Sequence, residues 1–240
     1  MLRKLVLGLL MLTAWQAQAD YQCPVKPQDD IFISSQQVRV AGASGDITIT
    51  PDGQVARNGQ PLNLNGEQRR QAADYQASVR EQLPWIDEGA RSRLEKGRIA
   101  LDRIIVQQLG SDSHVRERLT TLDRQLKQQM NRIIEHRPEG LAFHHQAIAQ
   151  VEQDGRRIVQ DSMGGVVQDS LNEMGTQQAM KAATGSSPLQ AVMGNLGSLQ
   201  QAIQNEWNSQ EQDFQQFGHQ VCQRVTHLEQ QRGDLMKSLQ

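Results

Sequence analysis

The pattern of apolar and polar residues changes its period near residue 64. Within residues 24–64, short β-prone runs are separated by turn residues, and Asp52-Gly53 and Asn58-Gly59 are the strongest turn signals. Both pairs are typical of tight hairpins, because these residue types adopt positive φ at little cost. The pattern predicts an antiparallel β-meander of three or four strands within residues 20–64. A meander of this size is marginally stable alone, so we expect one face to pack on helices.

From Asn65 onward, apolar residues recur every three or four positions, which is the period of a helix. Asn65 and Gln68 fit a capping box, and we expect the first helix to end near Gln82 because Pro84 breaks it. Further helices are predicted at about residues 85–109, from 111 through 134, from Pro138 into the region 161–200, and at about 189–239.

Together these elements predict an α+β fold. A small N-terminal antiparallel β-meander is followed by a long antiparallel helical bundle or hairpin over residues 65–240, and the two parts form one structural unit. The apolar spacing of the helices is close to a heptad, which is typical of coiled-coil packing.

Residues 1–19 have the three parts of a secretory signal peptide. Arg3 and Lys4 give a basic start, an apolar run follows, and Ala17-Gln18-Ala19 offers a cleavage site before Asp20. The apolar run is too short for a stable membrane span. We therefore expect secretion with cleavage after Ala19.

The composition argues against several classes of protein. Lys and Arg number 25 against 27 Asp and Glu, so the formal net charge of −2 offers no basic surface for nucleic acid. The mean hydropathy of −0.61 excludes a multi-spanning membrane protein. The 37 glutamines are spread along the chain. Because glutamine is an uncharged helix former, they predict long solvated helices rather than an aromatic-rich enzyme core.

The two cysteines, Cys23 and Cys222, are expected to form a disulfide, because secretion places them where disulfides persist. Such a bond would tie the start of the mature chain to a late helix. A free catalytic thiol is the alternative, although neither cysteine lies in a Cys-x-x-Cys motif or a recognisable nucleophile motif.

The histidines give only weak metal-site signals. His144 and His145 are adjacent, so on a helix their side chains point about 100° apart and do not jointly hold one metal ion. We interpret His145 as a hydrogen-bonded core residue on the same helical line as its apolar neighbours. A site assembled across helices from His144 with Glu152 or His227 stays an open alternative.

Acidic residues offer a similarly weak case for catalysis. Asp87 and Glu88 are adjacent carboxylates that could act as an acid and a base, but we interpret them as part of a solvated helix face or as members of i, i+4 ion pairs. Asp87 with Arg91, and Glu95 with Arg98, fit ion pairs along a helix. No catalytic residue, metal ligand or cofactor site is predicted.

The region 161–200 combines glycines, which weaken helices, with methionines, whose side chains adapt to apolar partners. We therefore predict that this region binds a client through Met163, Met174, Met180 and Met193. An ordinary close helix crossing, in which glycine lets two backbones approach, is the alternative.

Four sequence segments carry a resemblance to a known family. They are residues 83–90 (LPWIDEGA), residues 125–135 (QLKQQMNRIIE), Met163-Gly164-Gly165, and residues 213–218 (DFQQFG). In these segments the chain resembles the YggN-type family, a domain-of-unknown-function family of secreted proteins from enteric and related bacteria. The resemblance covers the mature chain, including both cysteines, and implies a periplasmic location. It assigns no functional residue.

These observations favour a non-catalytic, chaperone-like periplasmic protein that binds an envelope protein or a lipid-like client. The expected partners exclude nucleic acid, and self-association into a homo-oligomer stays possible. Two alternatives belong to other classes. One is an envelope hydrolase with a site assembled across helices, and the other is a structural scaffold that associates through its own helical faces.

Overall fold

The structure is a computed structural model. It describes residues 23–181 and 188–240, apart from the side chains of residue 167 and of residues 174–196. The signal-peptide prediction for residues 1–19 lies outside the described residues. The elements in chain order are β1 Asp29–Ser34, β2 Val38–Gly42, β3 Gly45–Ile49, β4 Val55–Arg57, β5 Gln60–Pro61, α1 Gly66–Leu109, α2 Val115–Ile133, β6 Ile134–Arg137, β7 Gly140–Phe143, α3 Ala147–Lys181 and α4 Pro188–Ser238. The architecture is α+β, as predicted.

The strands form one seven-stranded antiparallel sheet in the order β5-β4-β3-β2-β1-β7-β6. Alternate side chains of each strand point to the same face, and on one face these are Val and Ile residues with almost no exposed surface. The first part of α1 and the last part of α4 cover this face, with Tyr75 and Leu235 both fully buried. We call the sheet with residues 66–87 and 224–239 the β body.

The hairpin β6–β7 was not predicted. Residues from Pro138 were expected to begin a helix, and this prediction is wrong, because β7 pairs with β1 and completes the sheet. The turn contains Gly140 at φ 146°, where a side chain would also press against the carbonyl oxygen of Ile33. The sheet therefore takes two of its strands from within the part of the chain predicted to be helical.

Helix α1 begins with the predicted capping box, in which Asn65 accepts from the backbone of Gln68 and the Gln68 side chain accepts from the backbone of Asn65. The predicted break at Pro84 is wrong, because α1 continues through it to Leu109. Packing holds the helix together on both sides of the proline: Leu83 is buried in the β body, and Trp85 contacts α4.

Beyond the β body, the four helices lie side by side as the helical arm, which we define as residues 90–133, 147–181 and 188–221. Its own apolar core is formed mainly by Ile105, Leu109, Val115, Leu119, Val166, Leu199 and Ile203. Helix α4 spans 51 residues and so runs through both the arm and the β body. None of the described helices combines the length and apolar character needed to cross a membrane.

Candidate ligand-binding site

An apolar cavity of about 200 Å³ lies in the helical arm, between helices α1, α2, α3 and α4. Its apolar lining comes from Leu94, Gly97 and Leu101 of α1, from Leu119, Leu122 and Leu126 of α2, from Val159 of α3, and from Trp207 and Phe214 of α4. An enclosed apolar cavity of about 150 Å³ is enough to hold a benzene ring. The space is therefore large enough for a ring or a segment of alkyl chain.

Two aromatic side chains of α4 connect the cavity with the protein surface. Trp207 is 38% exposed and Phe214 is 42% exposed, which makes them two of the few large apolar side chains in the described residues that face solvent. The two residues are seven positions apart, which places them on one apolar stripe of α4. Large exposed apolar groups next to a cavity are typical of an entrance for an apolar ligand.

Gly97 of α1 shows how the cavity is kept open. A Cβ atom built on Gly97 would meet no atom within 4 Å outside its local backbone, so the glycine borders empty space. Glycine within a helix costs about 1 kcal/mol relative to alanine. The chain therefore has a helix-weakening residue at a position where a larger side chain would project into the cavity.

A chain of charged groups runs beside the cavity, along the line where α1 meets α2, and two of its members, Arg98 and Asp123, line the cavity. The Arg98 guanidinium lies 2.6 Å from Glu95, Lys127 lies 3.2 Å from Glu95, and Lys127 lies 2.8 Å from Asp123. Hydrogen bonds from Arg98 and then Lys127 lower the pKa of Glu95 to about 2. The hydrogen bond to Asp123 raises the pKa of Lys127. Opposite charges thus hold α1 and α2 together beside the apolar space.

Stacked cations and aromatic rings separate the cavity from the β body. Arg93, which lines the cavity, lies with its guanidinium 4.1 Å from the ring centre of Phe217. Phe217 contacts Trp85 at a centroid distance of 5.3 Å, and Arg224 lies 3.8 Å from the Trp85 ring. Gly89 makes this packing possible, because a Cβ there would lie only 2.6 Å from Phe217.

A second cluster of interacting side chains lies on the sheet face opposite the core. The ring of Phe32 has Arg39 at 5.4 Å and Arg137 at 5.5 Å from its centre, and it contacts His144 edge to face. Each arginine also has its own acidic partner: Arg39 pairs with Asp46 and Arg137 pairs with Glu135. The cluster therefore covers the open sheet face with paired charges.

Asp30 of β1 connects this cluster to the start of α3. Its carboxylate lies 3.2 Å from His144 and 2.6 Å from His145, and it accepts the backbone N–H of His145. Burial raises the pKa of Asp30, but the hydrogen bonds from His145 and His144 outweigh burial, so the net pKa lies below its ordinary value. His145 is hydrogen-bonded, as predicted, but its predicted place on a helical line is wrong because it precedes α3.

Asp87 forms the predicted ion pair with Arg91 and is buried rather than part of a solvated face. Its side chain is 6% exposed and accepts from Arg91 Nε at 2.9 Å, as the predicted ion pair requires. His136 of β6 also lies 2.6 Å from the same carboxylate, and Arg91 donates to Asn131 of α2. The buried carboxylate therefore joins α1 to β6 and, through Arg91, to α2.

The other predicted site residues are only partly described. The Cα atoms of Cys23 and Cys222 lie 5.6 Å apart, in disulfide geometry. Met163 is half-buried and packs against the apolar core of the arm. The side chains of Met174, Met180 and Met193 lie outside the described residues. Within residues 23–181 and 188–240, no three His, Cys, Asp or Glu side chains converge as metal ligands.

The fold and cavity define an α+β protein in which a sheet-based body supports a helical arm with a partly open apolar cavity. The chain belongs to the family described as "Protein of unknown function (DUF2884)", whose model matches residues 23–240. It is 56% identical to the "Uncharacterized protein YggN" of Escherichia coli strain K12 and of strain O157:H7, over 240 residues that cover all of each chain. These matches confirm the resemblance seen in the sequence. No solved structure matches the chain.

Proposed function

We propose that the protein is a non-catalytic periplasmic binding protein that holds the apolar chain of a lipid-like client in its helical arm. The single observation that carries this proposal is the apolar cavity next to the exposed rings of Trp207 and Phe214. Burying an alkyl chain against these side chains would contribute roughly 25 cal/mol for each Å² of apolar surface removed from water.

The size of the cavity favours a lipid-like client over a protein client. About 200 Å³ is room for a segment of chain, whereas stable protein interfaces bury about 800 Å² on each partner. A partly open apolar cavity bordered by two exposed aromatic rings suits one alkyl chain.

A periplasmic location agrees with two features of the chain. Residues 1–19 have the sequence of a secretory signal peptide, which we propose is cleaved after Ala19. Cys23 and Cys222 lie in disulfide geometry, and disulfides persist in the periplasm. A carrier in this compartment would shield an apolar chain from water.

The test is the binding of an apolar fluorescent probe to protein purified from the periplasm. We expect N-phenylnaphthylamine to bind the wild-type protein with increased fluorescence. Gly97→Leu should weaken this binding by about ten-fold or more, because the new side chain occupies the cavity. The matched control is Gly155→Leu on α3, another helical glycine with open space around it that does not line the cavity.

The two glycine variants share the gain in helix propensity, so a difference between them reports on the cavity itself. Circular dichroism and thermal unfolding verify that both variants are folded. Equal binding by Gly97→Leu and the wild type would contradict the proposal. A mature protein that buries Trp207 and Phe214 in a dimer and binds no probe would instead favour the self-associating scaffold.

A further inference from the structure

The two halves of the helical arm carry opposite net charges. Residues 90–133, which contain the arm part of α1 and all of α2, have ten Lys and Arg against five Asp and Glu. Residues 147–181 and 188–221, on α3 and α4, have three Lys and Arg against eight Asp and Glu. A chain whose formal net charge is only −2 therefore has a basic half in its arm.

Most cations of the basic half are held in ion pairs. Arg91 pairs with Asp87. Six others pair with acidic residues of the arm, and these are Arg98, Arg116 and Lys127 within the basic half and Arg93, Arg118 and Arg132 with α3 or α4. The remaining three, Lys96, Arg103 and Arg124, are exposed and have no acidic partner among the residues that the structure describes.

These three cations lie on one solvent-facing side of the arm, together with an exposed isoleucine. Lys96, Ile99 and Arg103 are three and four residues apart, so they share one stripe of α1, and Ile99 is 45% exposed. Arg124 lies one turn before Lys127 on α2, and Lys127 reaches across to Glu95, the neighbour of Lys96. We call Lys96, Ile99, Arg103 and Arg124 the basic face.

The basic face keeps a positive charge when the nearby carboxylates are counted. The acidic side chains along the line between α1 and α2 are paired with Arg98, Lys127 and Arg116. Glu117 of α2 is exposed and has no cationic partner within the described ranges, so it offsets one of the three unpaired cations. Cations beside an exposed apolar side chain are typical of helices that lie on anionic lipid surfaces.

We infer that the basic face docks the protein on an anionic phospholipid surface, with its three cations near the lipid phosphates and Ile99 at the level of the head groups. This goes beyond the proposed function, because it specifies the surface on which the protein meets lipid. It also rests on separate residues, since none of the four lines the cavity.

A second copy of the chain is the competing partner, because the α3–α4 half of the arm is acidic. Helix α4 of that half carries the exposed rings of Trp207 and Phe214 beside the cavity. A copy docked through α4 would cover these rings. An anionic lipid surface satisfies the unpaired cations and leaves the rings accessible.

The experiment measures sedimentation of the purified mature protein with lipid vesicles. One set contains phosphatidylcholine alone, and in the other phosphatidylglycerol replaces about a third of it. We expect the wild type to bind the anionic vesicles about ten-fold or more tightly than the neutral ones. Added salt should weaken this binding, because exposed charges are screened.

The triple variant Lys96→Gln, Arg103→Gln, Arg124→Gln should bind the anionic vesicles roughly 100-fold more weakly, since each cation near such a surface contributes about five-fold. Glutamine suits these exposed helical positions, so the fold should be kept. Circular dichroism verifies this. The variant should also bind N-phenylnaphthylamine normally in the absence of vesicles, because the cavity lining is unchanged.

The matched control is Arg69→Gln, Arg70→Gln, Lys237→Gln, which removes three exposed cations from the β body. It changes the net charge by the same amount, but Arg70 and Lys237 have acidic partners of their own. We expect it to bind the anionic vesicles within about two-fold of the wild type.

Several results would overturn the inference. One is equal binding of the wild type to neutral and anionic vesicles, or to neither. Another is unchanged binding by the basic-face variant, or an equal loss in both triple variants, because net charge alone would then control binding. A salt-sensitive dimer that binds no vesicles and is abolished in the basic-face variant would identify a second copy as the partner. A wild type that binds anionic vesicles but not the fluorescent probe would support the basic face and contradict the proposed function.

Discussion

The β body and the helical arm share helices α1 and α4 but bury their apolar residues in different ways. In the β body, Val38, Val40, Ile47 and Ile49 have no exposed surface, because the alternation of each strand sends them all to the covered face. In the arm, helices pack on helices and leave a cavity of about 200 Å³ beside exposed aromatic rings. The sheet-based region is filled, whereas the purely helical region is not.

This difference assigns separate tasks to the two regions. A filled core stabilises the folded protein, because each buried methyl group adds to the free energy of unfolding and each missing one leaves a destabilising cavity. A region with a cavity is less stable than a filled one, but it has space for a ligand. Because α1 and α4 run through both regions, the body holds one pair of the helices that border the cavity in place.

The largest expected effect comes from truncating the core of the β body. Ile47→Ala removes a side chain with no exposed surface and should lower the free energy of unfolding by about 2–5 kcal/mol. Urea denaturation followed by circular dichroism measures the change. The matched substitution in the arm is Leu94→Ala, at a half-buried position in the cavity lining, which should cost only about 1 kcal/mol. Equal losses at the two positions would contradict the contrast between a filled body and an unfilled arm.

The next largest effect is expected from removing the cysteine pair. Cys23 and Cys222 are separated by 199 residues, and a disulfide closing so long a loop stabilises a protein by about 2–4 kcal/mol in typical cases. The double variant Cys23→Ser with Cys222→Ser should therefore unfold at lower denaturant concentration. Peptide mapping of unreduced periplasmic protein should find the two cysteines linked, and two free thiols would refute the pairing.

The same variant sharpens the comparison between the two regions. The cysteine pair joins the residues before β1 to α4, and neither cysteine lines the cavity. The folded double variant should therefore bind the fluorescent probe as the wild type does. Weakened binding in the folded state would show that the body and the arm are coupled through this bond.

Local signals in the sequence predicted much of the fold. The capping box at Asn65 and Gln68 is confirmed because a helix start depends on neighbouring residues. The first four strands are confirmed, since Gly and Asn turns separate them clearly. The last helix was predicted at about residues 189–239 and spans Pro188–Ser238.

Two of the predictions from the sequence were wrong for the same physical reason. Contacts with residues distant in the chain outweighed the local secondary-structure preference. Helix α1 continues through Pro84 because Leu83 and Trp85 pack on other elements. The hairpin β6–β7 forms at the edge of a sheet whose other strands lie about 100 residues earlier in the chain. Its local signal was the turn that contains Pro138 and Gly140, and this signal was instead interpreted as a helix start.

The cavity was not predictable from the periodicity of the helices. The spacing of apolar residues indicated which face of each helix is buried, but not whether the facing side chains meet. Trp207 and Phe214 belong to the predicted apolar stripe and yet are more than one third exposed. Gly97 gave the one available signal, because a glycine interrupts the larger apolar residues Leu94 and Leu101 on the same stripe.

The smallest expected effect concerns Glu95, in the chain of charged groups beside the cavity. The pKa of Glu95 is lowered from 4.5 to about 2 by hydrogen bonds from Arg98 and Lys127, so its ionised form is favoured in the folded protein. A lowered pKa in the folded state stabilises the protein above the unfolded pKa, and this stabilisation is lost as the pH falls towards the folded pKa. Because the Glu95 side chain is 40% exposed, solvent screening limits the effect to at most about 1 kcal/mol.

Glu95→Gln should therefore lower the free energy of unfolding slightly at neutral pH. Its difference from the wild type should shrink as the pH falls from about 4.5 to about 2.

Asp46→Asn is the comparison in the β body, where the pKa of Asp46 is lowered by a hydrogen bond from Arg39 on the open sheet face. Glu95 connects α1 to α2, whereas Arg39 and Asp46 lie on neighbouring strands that backbone hydrogen bonds already join. Only Glu95→Gln should therefore alter probe binding in the cavity, and an equal change in Asp46→Asn would show that the chain of charged groups beside the cavity has no special role in the arm.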